Sequence, residues 1–324
     1  MDRRRAILAI SCLSGAVTFP NAFAQQKPKA WRIGYLNSGA RLAYFDEFAR
    51  AMRDLGYIEG RNFVIEWRFA SGQYDRLPAL AADLVSKKVD LIVVNSTPAM
   101  KAVQAATSTI PIVMSLVGDP VGSGFVASLA RPGGNITGLS LATTTNSAKW
   151  LELAKTVMPQ ARVAVLANPD APTAPVHIKN IQAAAQKLVM NVLVLYARAS
   201  EEIDRAFPAM AQEKIDTVIV SPDSFFDSHR KRIAQLALKH RMASIANSRG
   251  WAEDGALLTY GQDYAAFTRR AASYVDKIIK GAKPSELPVE QPTLFELVVN
   301  LTTAKQIGLS FSRDFLARVD LIIQ

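Results

Sequence analysis

Short β-rich runs alternate with amphipathic helical patterns along the chain from Trp31 onward. This alternation restricts the fold more than any other feature, because strands separated by helices build βαβ units with parallel sheets. The chain has 324 residues, of which 49% are hydrophobic, so it can form two cores of ordinary domain size. We therefore predict an α/β fold.

The predicted strands fall into two successive sets of the same kind. The first set comprises Ile33–Leu36, Phe63–Phe69, Leu91–Val94, Ile112–Leu116 and Ile136–Leu139. The second set comprises Val163–Leu166, Val192–Tyr196, Thr217–Val220, Ala243–Ala246 and Ala256–Tyr260. Repetition of this architecture predicts two Rossmann-like lobes, each with a parallel sheet.

Three segments between these patterns lack helical periodicity and are predicted to cross from one lobe to the other. They are residues 142–145, 261–263 and 285–292. An N-terminal lobe would then contain residues 31–141 and 264–284, and a C-terminal lobe residues 146–260 and 293–324. Three crossovers of this kind can act as a hinge.

The N-terminus has the pattern of an export signal rather than of a folded element. Arg3, Arg4 and Arg5 precede a short apolar segment that ends near Phe19, and Ala22-Phe23-Ala24 places small residues at a cleavage site. We predict that residues 1–24 are a signal peptide, which directs the protein to the periplasm. The arginines fit both a Sec and a twin-arginine signal.

Cys12 is the only cysteine, and it lies within this signal. The residues before it, Ala9-Ile10-Ser11, match a lipidation site poorly, so we expect a mature protein without thiols or disulfides. The formal net charge is +10, but the basic residues are scattered. The one tight cluster, Arg230-Lys231-Arg232, is typical of a solvated helix face rather than of a nucleic-acid site.

Small polar residues follow the predicted strands of both lobes. Ligands of open parallel sheets bind beyond the carboxyl ends of the strands, where helix N-termini also point. Hydroxyls and helix-start amides suit a carboxylate, and Asp119 or Asp223 suits an ammonium group, although residues of these types also cap helices without binding anything. The candidate ligand-binding residues are Asn37, Ser38, Asn95, Ser96, Thr97, Asp119, Asn168, Pro169, Ser221, Asp223, Ser224 and Asn247. Candidates for an apolar wall are Tyr35, Tyr44, Phe225, Phe226, Trp251 and Tyr260.

Several motifs resemble the substrate-binding proteins of ABC transporters that are related to tryptophan- and tyrosine-binding proteins. The matching segments are 33–36, 52–62, 95–99, 118–121, 131–138 and 255–261. The strong matches are Arg131-Pro132-Gly133-Gly134-Asn135-Ile136-Thr137-Gly138 and Gly255-Ala256-Leu257-Leu258-Thr259-Tyr260-Gly261, and the segments are specific together rather than singly. The resemblance implies a type I periplasmic-binding fold, a ligand between the lobes, and a permease and an ATPase as partners. It maps binding positions onto Asn95, Ser96, Thr97, Asp119, Asn168 and Asp223. Asn95 departs from the small apolar residue or glycine that is common in relatives, and this departure predicts a difference in the ligand.

Three other functions fit the sequence less well. Gly122-Ser123-Gly124 formally fits a dinucleotide fingerprint, but no acidic residue follows up to Leu151, and we expect a tight turn that enters a helix containing Phe125, Val126 and Leu129. Ser221, Asp223, Ser224 and His229 suggest a hydrolase, but His229 falls inside a predicted helix. A sugar-repressor-like regulator would need a DNA-reading module where the signal lies.

We therefore predict an extracytoplasmic solute-binding protein that captures a small organic ligand by closure of the two lobes. An amino acid or a similar carboxylate is expected, and the resemblance favours an aromatic one. We expect a monomer that has no catalytic residues, no metal site and no cofactor, and that does not bind nucleic acid. The alternative is a secreted α/β enzyme, hydrolase-like, that acts on a small metabolite.

Overall fold

The computed structural model describes residues 30–141, 143–291 and 295–324. Its strands form one sheet of five strands and one of seven. The strands are β1 Trp31–Asn37, β2 Phe63–Phe69, β3 Leu91–Asn95, β4 Ile112–Gly118, β5 Ile136–Leu141, β6 Val163–Ala167, β7 Val192–Tyr196, β8 Thr217–Val220, β9 Ala243–Ala246, β10 Leu258–Gly261, β11 Glu296–Asn300 and β12 Leu321–Ile323.

Helices connect most of these strands, as the alternation predicts. They are α1 Asp46–Asp54, α2 Leu77–Ser86, α3 Thr97–Ala106, α4 Thr143–Val157, α5 Ala174–Leu188, α6 Ser200–Gln212, α7 Ser224–Ser228, α8 Arg230–Lys239, α9 Arg249–Glu253, α10 Tyr264–Ile279, α11 Leu301–Ile307 and α12 Arg313–Leu316. Short 3-10 turns occupy Ala43–Phe45, Tyr74–Arg76 and Pro284–Glu286.

The five-stranded sheet has the order β2-β1-β3-β4-β5 and is entirely parallel. α1 and α10 pack against each other on one face, where Tyr35, Phe48 and Tyr274 are buried. α2 and α3 cover the other face, around Leu84 and Met100. α10 thus packs on this sheet although it follows β10 of the other sheet, so the first lobe is built from discontinuous chain.

The seven-stranded sheet has the order β12-β11-β10-β9-β8-β6-β7. The five strands predicted for this lobe, β6 to β10, pair in parallel as expected, and β11 pairs antiparallel with β10. β11 and β12 were not among the predicted strands. The wider prediction of an α/β fold with two Rossmann-like lobes is confirmed.

The chain passes from one sheet to the other three times. The first predicted crossover, 142–145, is already helical from Thr143, and residue 142 lies outside the described residues. In the second, 261–263, Gly261 is still the last residue of β10. The third, 285–292, is attached to the five-stranded sheet, because the backbone of Glu290 hydrogen-bonds to Gly138 and Ser140 of β5; residue 292 lies outside the described part of the chain.

The segment after β4 differs from the prediction. Residues 119–129 form turns and bends rather than the start of a helix. Phe125 and Val126 are nevertheless buried, and Leu129 packs against them with the α2–α3 face of the sheet. The predicted packing is therefore correct although the predicted helix is wrong. Among the described residues, no helix is both long and apolar enough to cross a membrane.

Candidate functional site

A cavity lies between the two lobes, at the carboxyl ends of the strands. The space between the atoms is about 540 Å³ when the part open to solvent is included. None of the described residues that line it is a lysine or an arginine, whereas two are aspartates. The lining residues are Tyr44, Asn95, Ser96, Thr97, Pro98, Leu116, Gly118, Leu141, Ala171, Pro172, Thr173, His177, Pro222, Asp223, Ser224, Asp227 and Tyr264.

The end of β3 and the start of α3 form the wall from the first lobe. Ser96 caps α3 through its Oγ, which accepts a hydrogen bond from the Ala99 amide at 3.4 Å. Its φ of 116° lies outside the regions that L-residues favour, and strain of this kind is concentrated at functional sites. Thr97 Oγ1 accepts a hydrogen bond from the Gly118 amide at 3.0 Å and so ties β3 to β4.

Asp223 lies on the wall that the second lobe contributes. Its Oδ1 accepts hydrogen bonds from Asn168 Nδ2 at 3.1 Å and from the Phe225 amide at 3.0 Å. Its Oδ2 accepts a third from the Tyr74 hydroxyl at 2.5 Å. Burial raises the pKa of Asp223, and these three hydrogen bonds oppose the shift. Three of the roughly four acceptor positions of this carboxylate are therefore occupied by the protein itself.

Asp227 lies one helical turn beyond Asp223 and also lines the cavity. Its Oδ1 accepts a hydrogen bond from Trp251 Nε1 at 2.8 Å. Burial raises the pKa of Asp227 to about 6, while the Trp251 bond and the charge of Arg230 oppose this rise. This carboxylate thus faces the cavity with more free acceptor capacity than Asp223.

Two tyrosines line the cavity together with these carboxylates. The rings of Tyr44 and Tyr264 meet edge to face, with centroids 5.7 Å apart. Burial holds the pKa of both hydroxyls well above the usual range, and the charge of Asp227 adds to this. Both rings therefore stay neutral and can pack against an apolar part of a ligand.

His177 belongs to the first turn of α5 and is buried among the lining residues. Burial lowers the pKa of this imidazole to about 4. It is therefore uncharged near neutral pH.

The structure gathers only part of the predicted site. Asn95, Ser96, Thr97, Asp223 and Ser224 line the cavity. Ser38 and Asn168 stand behind it, each hydrogen-bonded to a lining residue: Ser38 Oγ donates to Ser96 Oγ at 2.8 Å, and Asn168 donates to Asp223. Asn247 lines a smaller adjoining pocket with Trp150 and Tyr264.

The other predicted residues are not among those that line the cavity. Asp119 is exposed and turns back on its own loop, where Oδ1 accepts a hydrogen bond from the Gly122 amide at 2.9 Å. Pro169 is exposed, and Ser221 is buried beside β8. Asn37 is buried and donates to the Ala40 carbonyl at 3.3 Å.

Tyr44 is the one member of the predicted aromatic wall that is among the described residues lining the cavity. The other five rings pack into the cores of the lobes or against neighbouring rings. Sequence reasoning did not identify Asp227, His177 or Tyr264 as site residues. They lie inside helices, where apolar periodicity marks the face toward the core but not the face toward a second lobe.

The histidine considered for a hydrolase is not placed as predicted. His229 lies at the junction of α7 and α8 rather than inside a helix. Its ring hydrogen-bonds to Ser200 Oγ and to the Phe225 carbonyl, both at 2.9 Å. It is held by these structural contacts and does not approach Ser221 through any described hydrogen bond. Within the described residues, no cluster of histidine, cysteine, aspartate or glutamate could hold a metal ion.

The two lobes touch directly around the cavity. The Tyr74 hydroxyl donates to Asp223, and the Ala40 amide donates to Ser228 Oγ at 2.9 Å. Next to the crossover at 261–263, Asn247 Nδ2 donates to the Tyr264 hydroxyl. These contacts join the two lobes directly.

Comparison with known proteins gives a consistent result. Residues 33–322 match the family model described as ABC transporter substrate binding protein. The chain is 30% identical over 263 residues to a tyrosine-binding protein of Clostridioides difficile (strain R20291). The aligned region covers 81% of this chain and 75% of that protein.

Two solved structures superpose over 91% of this chain and the whole of theirs. One is the ABC domain of Streptococcus pneumonia in complex with L-Trp, with 22% identity and a TM-score of 0.82. The other is the ligand-free, open form of a substrate binding protein with adhesive properties from Clostridium difficile, with 26% identity and a TM-score of 0.64.

Proposed function

Because the chain belongs to the family of ABC transporter substrate-binding proteins, we propose that its cleft captures an α-amino acid, with an aromatic side chain favoured. The protein is a solute-binding protein and not an enzyme. One observation carries the proposal: hydroxyls at a helix N-terminus and two aspartates face each other across one cavity.

The first-lobe wall suits the carboxylate of such a ligand. α3 is ten residues long and begins at the cavity with Ser96 and Thr97. The N-terminus of a helix attracts an anion through its partial positive charge and its unpaired amides. Because no lysine or arginine is among the described lining residues, a carboxylate would be bound by neutral donors on this wall.

The second-lobe wall suits the ammonium group. Asp223 already accepts three hydrogen bonds from the protein. Asp227 accepts one side-chain hydrogen bond, from Trp251, and therefore has capacity for a ligand N–H. We assign the ammonium to Asp227, with Asp223 adding negative charge nearby. An ammonium would offset the cost of holding an ionised, desolvated carboxylate there.

The aromatic side chain is supported by the apolar surfaces and by the relatives. Tyr44, Tyr264, Leu116 and Leu141 line the same cavity. The similar proteins are a tyrosine-binding protein and a domain in complex with L-Trp. An aromatic ring packed against Tyr44 or Tyr264 would gain from edge-to-face or offset contacts.

The mechanism is capture by closure. A ligand that first binds to one lobe shifts the equilibrium toward the closed form. It does so only to the extent that it binds the closed form more tightly than the open form. The direct contacts between the lobes support this, as does the greater similarity to the L-Trp complex than to the ligand-free, open structure. The crossovers at 142–145, 261–263 and 285–292 would form the hinge, with lobes bounded as predicted above.

Membership of the family supports the rest of the proposal, which concerns partners, location and cofactors. The closed protein would dock, as a monomer, on a membrane permease served by an ATPase. It would work in the periplasm after cleavage behind Ala24, a site that lies outside the described residues. Binding would need no cofactor.

The proposal is tested by a thermal-shift screen of the mature protein with amino acids and matched analogues. A ligand at a hundredfold above its dissociation constant stabilises the folded state by about 2.7 kcal/mol. Tyrosine or tryptophan should raise the melting temperature, whereas tyramine or tryptamine, which lack the carboxylate, and the N-acetyl amino acids, which lack the ammonium, should not. Stabilisation by the amines alone, or by no amino acid, would refute an amino-acid ligand.

A further inference from the structure

His177 combines burial with an unused polar atom at the ligand cavity. The residue is 2% exposed, yet its ring lines the cavity. Its Nδ1 is buried and makes no hydrogen bond to any residue that the structure describes. Buried polar atoms are nearly always paired, so an unpaired one at a binding cavity indicates a partner that the ligand supplies.

The other two histidines do not combine a position at the cavity with an unpaired ring nitrogen. Both ring nitrogens of His229 are hydrogen-bonded, to Ser200 and to the Phe225 carbonyl. The ring of His240 stacks on Phe207, away from the cavity. His177 is thus the histidine whose ring both faces the cavity and has a nitrogen left unpaired among the described residues.

The charge state of His177 restricts what it can bind. Burial lowers its pKa to about 4, with no contribution from a neighbouring charge. The two carboxylates that line the cavity, Asp223 and Asp227, therefore do not hold it as an imidazolium. A neutral imidazole has one N–H donor and one lone-pair acceptor, so it suits an uncharged polar group rather than a carboxylate.

The lining residues that precede His177 in the chain, Ala171, Pro172 and Thr173, carry no charge. A buried polar group at such a place fixes the orientation and the identity of a ligand, because a ligand without a matching group leaves it unpaired.

We propose that His177 is a specificity-determining residue that hydrogen-bonds an uncharged polar group on the ligand side chain, a phenolic hydroxyl or an indole N–H, and so selects against hydrocarbon rings. This inference rests on the proposed amino-acid function. It adds to that function a preference between ligands of nearly the same size.

The test uses two pairs of ligands that differ in one group. L-Tyrosine is compared with L-phenylalanine, and L-tryptophan with 3-benzothienyl-L-alanine, in which sulfur replaces the ring N–H. Dissociation constants are measured by calorimetry at pH 7.5 for the wild type, for His177→Leu, which removes the hydrogen-bonding group, and for His177→Gln, which keeps one.

The wild type should bind the polar member of at least one pair at least tenfold more tightly. His177→Leu should reduce that preference to threefold or less, mainly through weaker binding of the polar member, and the circular dichroism spectrum of the ligand-free variant should match the wild type, which shows that the fold is intact. His177→Gln should retain more than a threefold preference. A wild type without preference, or His177→Leu with an unchanged preference, overturns the inference and leaves the amino-acid function standing.

Two further outcomes separate the two proposals. If no amino acid binds the wild type, the proposed function fails and this inference fails with it. If His177→Leu does not fold, the imidazole ¹⁵N signals of the wild type decide, assigned with His177→Gln. The polar ligand should shift the Nδ1 signal of His177, whereas an unchanged signal at saturation overturns the inference.

Discussion

The hydroxyl of Tyr74 lies 2.5 Å from Oδ2 of Asp223 and joins the two lobes at a residue that lines the cavity. Tyr74 belongs to the 3-10 turn after β2, and Asp223 caps α7 after β8. Burial and the adjacent carboxylate hold the pKa of the Tyr74 hydroxyl far above its usual range, so it remains a donor. This bond joins residues of two different lobes, so a movement that separates the lobes would break it.

Replacing Tyr74 should weaken ligand binding without disturbing either lobe. Tyr74→Phe removes one hydrogen bond to a carboxylate, worth about 1.5–3 kcal/mol, from the closed state alone. We expect about a tenfold or greater loss of affinity and a larger radius of gyration in small-angle scattering, since the closed population falls.

Tyr57→Phe is the matched control for this change. The Tyr57 hydroxyl also donates to an aspartate, Asp276, at 2.9 Å, but both residues belong to the first lobe. Tyr57→Phe should lower stability and leave affinity unchanged. Equal affinity of Tyr74→Phe and the wild type would show that the interlobe bond does not contribute to closure.

Affinity for an ammonium ligand should rise with pH through the titration of Asp227. Its pKa is about 6, so the carboxyl is largely neutral at pH 5 and ionised at pH 7.5. Arg230 and Asp223 are the charged groups that act on it, and Tyr44 and Tyr264 face it as neutral hydroxyls. We expect up to about a tenfold gain in affinity for each pH unit below 6 and a plateau above.

Asp227→Asn tests this dependence while it keeps an oxygen for the Trp251 N–H. The variant should bind more weakly at pH 7.5 and lose the rise between pH 5 and 7. Asp204→Asn, which alters an exposed aspartate paired with Arg232, should behave as the wild type. If the affinity of Asp227→Asn still rises between pH 5 and 7, the ammonium binds to another group.

The ligand-free protein should show two opposing pH effects that arise in the same cavity. Folding raises the pKa of Asp227 from 3.8 to about 6, so this group makes the free energy of unfolding fall as the pH rises from 4 to 6. Folding lowers the pKa of His177 from 6.5 to about 4, so this group makes the free energy of unfolding rise over the same range. Each effect is at most about 3 kcal/mol.

Single substitutions separate the two effects. Relative to the wild type, Asp227→Asn should make the free energy of unfolding increase more steeply between pH 4 and 6, and His177→Gln less steeply. Urea unfolding at several pH values measures both slopes. Slopes that change in the same direction, or not at all, would contradict the opposed titrations.

Gly138 should tolerate no side chain. Its φ is 124°, and an added Cβ would lie 2.2 Å from the Met114 carbonyl oxygen and 2.6 Å from its amide nitrogen. Because both atoms are backbone of the neighbouring strand β4, the clash is relieved only by separating the strands. We expect Gly138→Ala to lower the free energy of unfolding by about 3 kcal/mol or more, measured by chemical denaturation.

Gly134, in the same sequence motif, is the control for this substitution. An added Cβ there meets nothing within 4 Å. Gly134→Ala should change stability by less than about 0.5 kcal/mol. A similar loss in both variants would trace the effect to glycine flexibility rather than to the contact with Met114.

The sequence predicts the strands well but the site only in part. The sequence predicts Asn95-Ser96-Thr97 because this run directly follows a strand with a clear apolar pattern, and it predicts Asp223-Ser224 because this pair follows another such strand after Ser221 and Pro222. Asp119 follows a strand in the same way, but its loop reverses and leaves the carboxylate exposed. The type of residue at a strand end is readable from the sequence, whereas the direction of the loop is not.

The sequence by itself determined two α/β lobes and the strand ends at which the cavity is found, because burial periodicity and helix caps are local properties of the chain. Only the tertiary structure decided that β11 runs antiparallel to β10, that Asp227 and His177 face the cavity, and that Tyr74 meets Asp223. These relationships depend on how two separately folded surfaces are placed against each other. Residues as far apart as Tyr74 and Asp223 carry no local pattern that records their contact.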